Sequence, residues 1–294
     1  MKYSDTLRDL RVAPAALRQL DPADQQRYAE DHDAIYAAAL QQIDAWRPKD
    51  RPLRVLELGG APYYFTALLL SRGCEVTCVG VPGQVWPGEM TGVEQASVTL
   101  GLGQHSWQVP VCLMNVEREP LPFPDGSFDV VLCMDILQHL GYHPTLMFCE
   151  AHRVLKASGK LLVGVPNGLS LRRLLWLLAG IVDTDRFAAR GMYHRRQRSS
   201  APDEVRALAA GCGFRIEQSR LLNLQALPPA GWPRRLAALA RWLTTAPIEA
   251  LRRRRDYLLL VATPAGRRRA AYPPGLYHYV RLYPRIPGAA DTGE

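Results

Sequence analysis

The chain has 294 residues, 48% of them hydrophobic and without low-complexity bias, which excludes a fibrous or disordered protein and allows a large, well-buried core. Its net charge of +8, carried almost wholly by arginine since only four lysines occur, favours an anionic partner or reflects an arginine-rich composition. The dispersed basic residues, without an aromatic–basic motif, speak against nucleic acid. MKYSDTLRDL lacks the apolar region of a secretory signal, and the longest apolar run, Leu174 to Val182, is well short of the roughly 20 residues of a spanning helix. Five of the six cysteines (Cys74, Cys78, Cys112, Cys133, Cys149) sit in apolar runs, as reduced core residues do. A soluble cytoplasmic protein is expected.

Residues 1–50 read as helical. Ser4 or Asp5 would cap a short helix, and Asp21-Pro22 would open a longer one reaching Trp46. On the latter, Tyr28, Ile35, Tyr36, Ala39 and Ile43 recur at helical spacing, a face suited to covering a sheet. Pro52 to Leu58 reads as the first strand, Gly59-Gly60-Ala61-Pro62 as a turn, and Tyr63 to Arg72 as a helix. Glu75 to Val79 is the second strand, Ala96 to Leu102 an edge strand or hairpin arm, and Val109 to Met114 a third core strand. Phe128 to Met134 (FDVVLCM) is the nearly continuous apolar run of a parallel strand covered on both faces. A helix from Pro144 to Leu155 should stop at Ser158-Gly159, and Leu161 to Val165 should return as a strand. Helices at Leu169–Val182 and Pro202–Gly213 and strands at Phe214–Ser219 and Asp256–Thr263 complete the pattern. Arg252 to Arg255 would end a helix, complementing its dipole. The organisation is an N-terminal helical segment (1–50), an α/β core (51–263) with cap-like inserts near 168–201 and 228–255, and a basic tail (264–294). Asp135, His139 and Asn167 fall just beyond strand C-terminal ends, where open α/β sheets bind ligands.

LPFPDGSFDVVLCMDILQHL (121–140) followed by RVLKASGKLLVGVPN (153–167) resembles the second half of a class I S-adenosylmethionine-dependent methyltransferase core. Leu58 to Thr66 (LGGAPYYFT), Gly191, Tyr193, Arg195 and Arg198 in a basic loop, and the closing Tyr272 to Tyr277 are similar to a subgroup found in glycan and polysaccharide biosynthesis clusters. The resemblance implies a doubly wound, Rossmann-like, seven-stranded sheet with N-terminal helices and a helical cap insertion, and it would set the helix over 24–46 across the cofactor mouth rather than simply on the sheet. It implies S-adenosylmethionine as cofactor, bound by the loop Gly59, Gly60, Ala61 and Tyr63. Glu57 would hold the ammonium group, directly or through water, and Asn115 and Val116 would contact adenine, with Asp135 beyond the fourth strand. Two departures stand out: Ala61 and Tyr63 replace glycines, and Gly80 replaces the usual ribose-binding carboxylate. Arg196 and Ser199 likewise depart from the subgroup's histidine and glutamate.

Methyl transfer from a sulfonium needs alignment, exclusion of water and removal of the acceptor proton. His139 is the first candidate base and His194 the second. The histidine spacing fits no closed metal pattern, so no metal is assigned. Gly-x-Ser-x-Gly and phosphate-loop signatures are missing. The expected reaction is O-methylation of a saccharide or glycan intermediate. Methylation of a small natural product or lipid quinone is the alternative, as is a non-catalytic partner protein that has kept the fold. Residues 232–255 include a basic amphipathic helix, with Leu236, Leu239, Trp242 and Leu243 opposite Arg234, Arg235 and Arg241. It would serve as a substrate cap or as a peripheral membrane contact.

Overall fold

The computed structural model describes residues 2–14, 22–81, 92–141, 144–178, 180, 198–224, 242 and 249–266. Nine strands form one sheet in the order β1-β4-β5-β3-β2-β6-β7-β9-β8. They are β1 (Arg11–Ala13), β2 (Arg54–Leu58), β3 (Glu75–Gly80), β4 (Glu94–Leu102), β5 (His105–Leu113), β6 (Phe128–Met134), β7 (Leu155–Pro166), β8 (Phe214–Leu222) and β9 (Tyr257–Pro264). The five central strands are parallel, and β9 and β8 close one side antiparallel. The chain runs outward from β2 through β3 to β5, then crosses back to β6 on the other side of β2. That reversal opens a crevice above the C-terminal ends of β2 and β6.

Eight of these strands are those read from the sequence, and β1 is the ninth, so the sheet exceeds the seven strands that the resemblance implies. Ala96–Leu102 is a hairpin arm: β4 pairs with β5 through a two-residue Gly103-Gln104 turn, with Gly103 at φ +57°. The edge beyond it is Arg11–Ala13, so residues 1–50 are not wholly helical. The helices there are α1 (Tyr3–Leu7) and α2 (Pro22–Trp46). Ser4 does not cap α1. It donates through its backbone N–H and its hydroxyl to Asp33, tying α1 to α2.

Period-2 alternation sends Val55 and Glu57 of β2 to one face and Leu56 and Leu58 to the other. On the first face lie α2 and α3 (Tyr64–Leu70); on the second, α4 (Thr145–Val154) and α6 (Pro202–Gly211). Ala29, Ile35, Tyr36, Ala39, Leu40 and Ile43 are the buried stripe of α2. Ser158-Gly159 does not separate helix from strand, because β7 begins at Leu155, directly after α4. The pairing jumps from Phe128↔Leu155 to Val130↔Lys160, so the Ser158-Gly159 stretch is a bulge within β7. Gly159 is needed there, since a Cβ would sit 2.9 Å from the Lys156 carbonyl. The described part of the next helix is α5 (Leu171–Leu178). A single turn, α7 (Glu249–Arg252), precedes β9, so only Arg252 of the arginine run is helical.

Candidate active site

A cavity of about 420 Å³ lies at the switch point, within the range of small-molecule sites. It gathers Gly59, Gly60, Ala61, Tyr63, Gly80, Asn115, Val116, Asp135 and His139 from four separate loops. The loop after β2 forms one wall. A Cβ on Gly60 would meet Cys78 Sγ at 2.9 Å, so only glycine lets this backbone close over β3. Tyr63 takes φ +70° and caps α3. Asp135 takes φ +54° at the end of β6. These two are the positive-φ non-glycine residues among those described, and both line the cavity. Such strained backbone clusters at functional sites.

Glu57 does not line the cavity. Buried on the α3 face, it accepts a 2.5 Å hydrogen bond from Thr66 Oγ1, with its Oε2 beneath Gly60. Burial pushes its carboxyl up to about 7, against the opposing hydrogen bonds from Thr66 and Cys78. At Gly80 a Cβ would meet nothing within 4 Å, leaving open space where the resemblance implies a carboxylate. Asn115 is buried, and its Oδ1 accepts from the Glu117 N–H. Glu117 is buried too, and its own carboxylate accepts from the Gly141 N–H. His139 ends a 3₁₀ turn, Leu137–His139, on the cavity rim. His194 and most of the 232–255 segment lie outside the described residues.

The sequence reading named the Tyr28 face of α2 but not His32. Tyr28 and His32 of α2 cover the cavity, stacked with ring centroids 4.0 Å apart. His32 Nε2 lies 3.3 Å from Asp135 Oδ2, and Nδ1 lies 2.7 Å from the Tyr28 carbonyl. Both neighbours are acceptors only, so the doubly protonated imidazolium satisfies both nitrogens. Burial opposes that charge, but Asp135 and the Tyr28 carbonyl outweigh it and raise His32 above its ordinary value. Burial likewise opposes the charge on Asp135. Hydrogen bonds from His32, Tyr257 (3.1 Å) and Gln138 (3.1 Å) more than offset it and hold the carboxyl below the usual range. Gln138 Oε1 is buried beside the cavity with no partner among the described residues. The Tyr257 hydroxyl reaches Asp135 across Gly164, where a Cβ would collide with it. A stripe of aromatic and imidazole rings four residues apart, Tyr28-His32-Tyr36, was the signal in the sequence.

Residues 56–163 match the family model described as methyltransferase domain. Residues 56–163 are thus similar to a methyltransferase domain, and they lie within a sheet whose core order is β5-β3-β2-β6-β7-β9-β8. A Mycobacterium tuberculosis protein described as a probable S-adenosylmethionine-dependent methyltransferase is 29% identical over 157 residues, 47% of this chain and 53% of that protein. The chain thus spans about half the length of this curated relative. A demethylmenaquinone methyltransferase of Thermus thermophilus is 24% identical over 185 residues, 58% of this chain and 78% of that enzyme. A crystal structure of a Pyrococcus horikoshii protein superposes with a TM-score of 0.50 at 18% identity, over 85% of this chain and 95% of that one, a likeness of fold. The residues of the methyltransferase domain fit its cofactor on the structure's own terms. The glycine cradle, the open space at Gly80 and the orphaned Gln138 oxygen all surround one cavity.

Proposed function

We propose that the chain transfers a methyl group from S-adenosylmethionine to a hydroxyl of its acceptor, with His32 and Asp135 managing the acceptor's proton. The observation that carries this is the His32–Asp135 pair across the mouth of the cavity. The cofactor would be held by the Gly59–Tyr63 loop and Asn115, with Glu57 behind the loop. When bound it supplies an electrophilic methyl group. Neutral His32 accepts the acceptor's proton at Nε2, and Asp135 stabilises the imidazolium that results, while the Tyr28 carbonyl fixes the Nδ1–H tautomer. On this reading His32 takes the role that the sequence suggested for His139, and His139 helps close the rim.

The acceptor is read as a saccharide or glycan intermediate, on the strength of the resemblance carried by Leu58 to Thr66, by Gly191, Tyr193, Arg195 and Arg198, and by Tyr272 to Tyr277. A lipid quinone is the second reading, favoured by the likeness to the Thermus thermophilus enzyme. Exposed Leu174, Leu177 and Leu178 on α5 support an acceptor presented at a lipid surface. No helix of the described residues is long and apolar enough to cross a membrane.

Titration with S-adenosylmethionine by calorimetry and thermal shift comes first. Ligand at 100 times its dissociation constant stabilises the fold by about 2.7 kcal/mol, and no shift at millimolar ligand overturns the proposal. With an acceptor in hand, kcat/KM should rise with pH through a value above 6.5, because raised His32 must lose its proton to act as base. His32→Gln should flatten that limb and lower kcat by 10² to 10⁴, in order of magnitude. An unchanged profile assigns the proton elsewhere.

A further inference from the structure

A second and larger hollow, about 810 Å³, opens on the same edge of the sheet, beyond β7. Five arginines line it: Arg206 from α6, and Arg252, Arg253, Arg254 and Arg255 from the turn leading into β9. One carboxylate, Asp203, lines it too and is paired with Arg206. The sequence alone explained this run as a helix C-terminus needing no ligand. The helix does end at Arg252, which accounts for that residue but leaves Arg253, Arg254 and Arg255 beyond its last turn.

The turn is instead built. Asn167, buried at the end of β7, donates from Nδ2 to the carbonyls of Arg253 (3.0 Å) and Arg255 (2.8 Å), and its Oδ1 accepts from Leu169. The Leu171 N–H bonds the Arg254 carbonyl at 2.8 Å. Asn167 thus serves the backbone of the arginine turn rather than the cofactor mouth where the sequence placed it. Arg255 Nε is buried with no acceptor among the described residues, a desolvated donor left open. Backbone carbonyls also hold two of the guanidinium groups, since Arg254 Nη1 donates to Leu169 (3.2 Å) and Arg255 Nη1 to Leu221 (3.1 Å). Guanidinium groups fixed in this way match the geometry of phosphate oxygens.

The hollow and the candidate active site share no lining residue among those described, but the start of β9 joins them. Arg255 of the hollow is two residues before Tyr257, whose hydroxyl bonds Asp135. We propose that this arginine hollow binds the phosphate or diphosphate group of the acceptor, holding its hydroxyl-bearing portion towards Asp135 and His32. The orientation towards Asp135 rests on the methyltransferase reading; the anion site does not.

The test uses the full chain and inorganic pyrophosphate as probe, followed by calorimetry at low and moderate salt. Pyrophosphate should bind 1:1, more weakly as salt rises. The double variant Arg206→Gln/Arg252→Gln should weaken it on the order of tenfold or more, as loss of charge-assisted hydrogen bonds predicts. Arg206→Lys/Arg252→Lys should recover part of that loss, keeping charge without the bidentate fork. S-adenosylmethionine affinity, measured on the same samples, should not change. A prenyl diphosphate arm identifies the source: tighter binding than pyrophosphate marks a lipid-borne acceptor, and equal binding a soluble one. Absence of pyrophosphate binding, or binding indifferent to the glutamine variant, overturns the proposal. Failure of S-adenosylmethionine to bind while pyrophosphate still does would overturn the methyltransferase reading and leave this site standing.

Discussion

Glu57 carries a proton that the cofactor should displace. Its folded value near 7 lies above the ordinary 4.5, so the native state holds more protons than the unfolded chain between those limits. Stability contributed by this residue therefore falls as pH rises from about 4.5 to 7, by about 3 kcal/mol in total. An ammonium group bound over Gly60 would favour the carboxylate and expel the proton. Calorimetry near pH 6 in buffers of different ionisation enthalpy should show proton release on S-adenosylmethionine binding, and Glu57→Gln should abolish it. Equal heats in all buffers would detach Glu57 from the cofactor. Gly80 offers the complementary experiment, addition rather than removal. A side chain there meets open space, and a carboxylate accepts two hydroxyl hydrogen bonds. Gly80→Asp should tighten cofactor binding several-fold, whereas weaker binding would place the ribose elsewhere.

At the scale of elements, what the sequence made legible is what local pattern determines. FDVVLCM has the bounds of β6 because a strand covered on both faces must be apolar throughout. Gly59, Gly60 and Asp135 were legible because they sit at strand ends in a parallel pattern. His32 was not, since nothing within α2 says that its N-terminal half overhangs β6 rather than solvent; only packing against α3 and β2 fixes that. Tyr257 was hidden for a similar reason. It begins an apolar strand and reads as core, yet its hydroxyl crosses to Asp135 because β7 offers Gly164 two residues from Pro166, the register partner of Tyr257. Gly164→Ala should force Tyr257 and Met134 aside, at about 1–3 kcal/mol in stability, with a fall in turnover exceeding any change in cofactor affinity. Combining it with Tyr257→Phe should regain part of the melting temperature but none of the turnover. Recovery of turnover would show the hydroxyl to be dispensable.

Across the whole molecule, the end of the sheet away from the site is held by charge. Asp129, at the start of β6, accepts from both Arg51 nitrogens (2.6 and 2.8 Å), from Lys156 Nζ (2.7 Å) and from the Arg54 N–H (3.0 Å). Burial works against the charge, but these donors hold the carboxyl well below the usual range. A depressed carboxyl stabilises the fold above its unfolded value near 3.8, and that stabilisation is lost as pH falls towards the folded value. Asp129→Asn should lower the melting temperature by several degrees at pH 7, much less at pH 3, and leave S-adenosylmethionine affinity intact. A change in affinity would mean that strain at the base of β6 reaches the cavity.

Asp135 draws its partners from positions far apart along the chain: His32 more than a hundred residues before it and Tyr257 more than a hundred after. On the ribosome, a nascent chain that has released β6 already possesses the glycine loop, the carboxylate and the imidazole, but no phenol. Until β9 inserts between β7 and β8, Asp135 lacks a donor that helps keep it ionised, and the arginine turn has no strand to hang from. The cavity at the switch point and the arginine hollow therefore mature in a single late event of synthesis, the docking of β9.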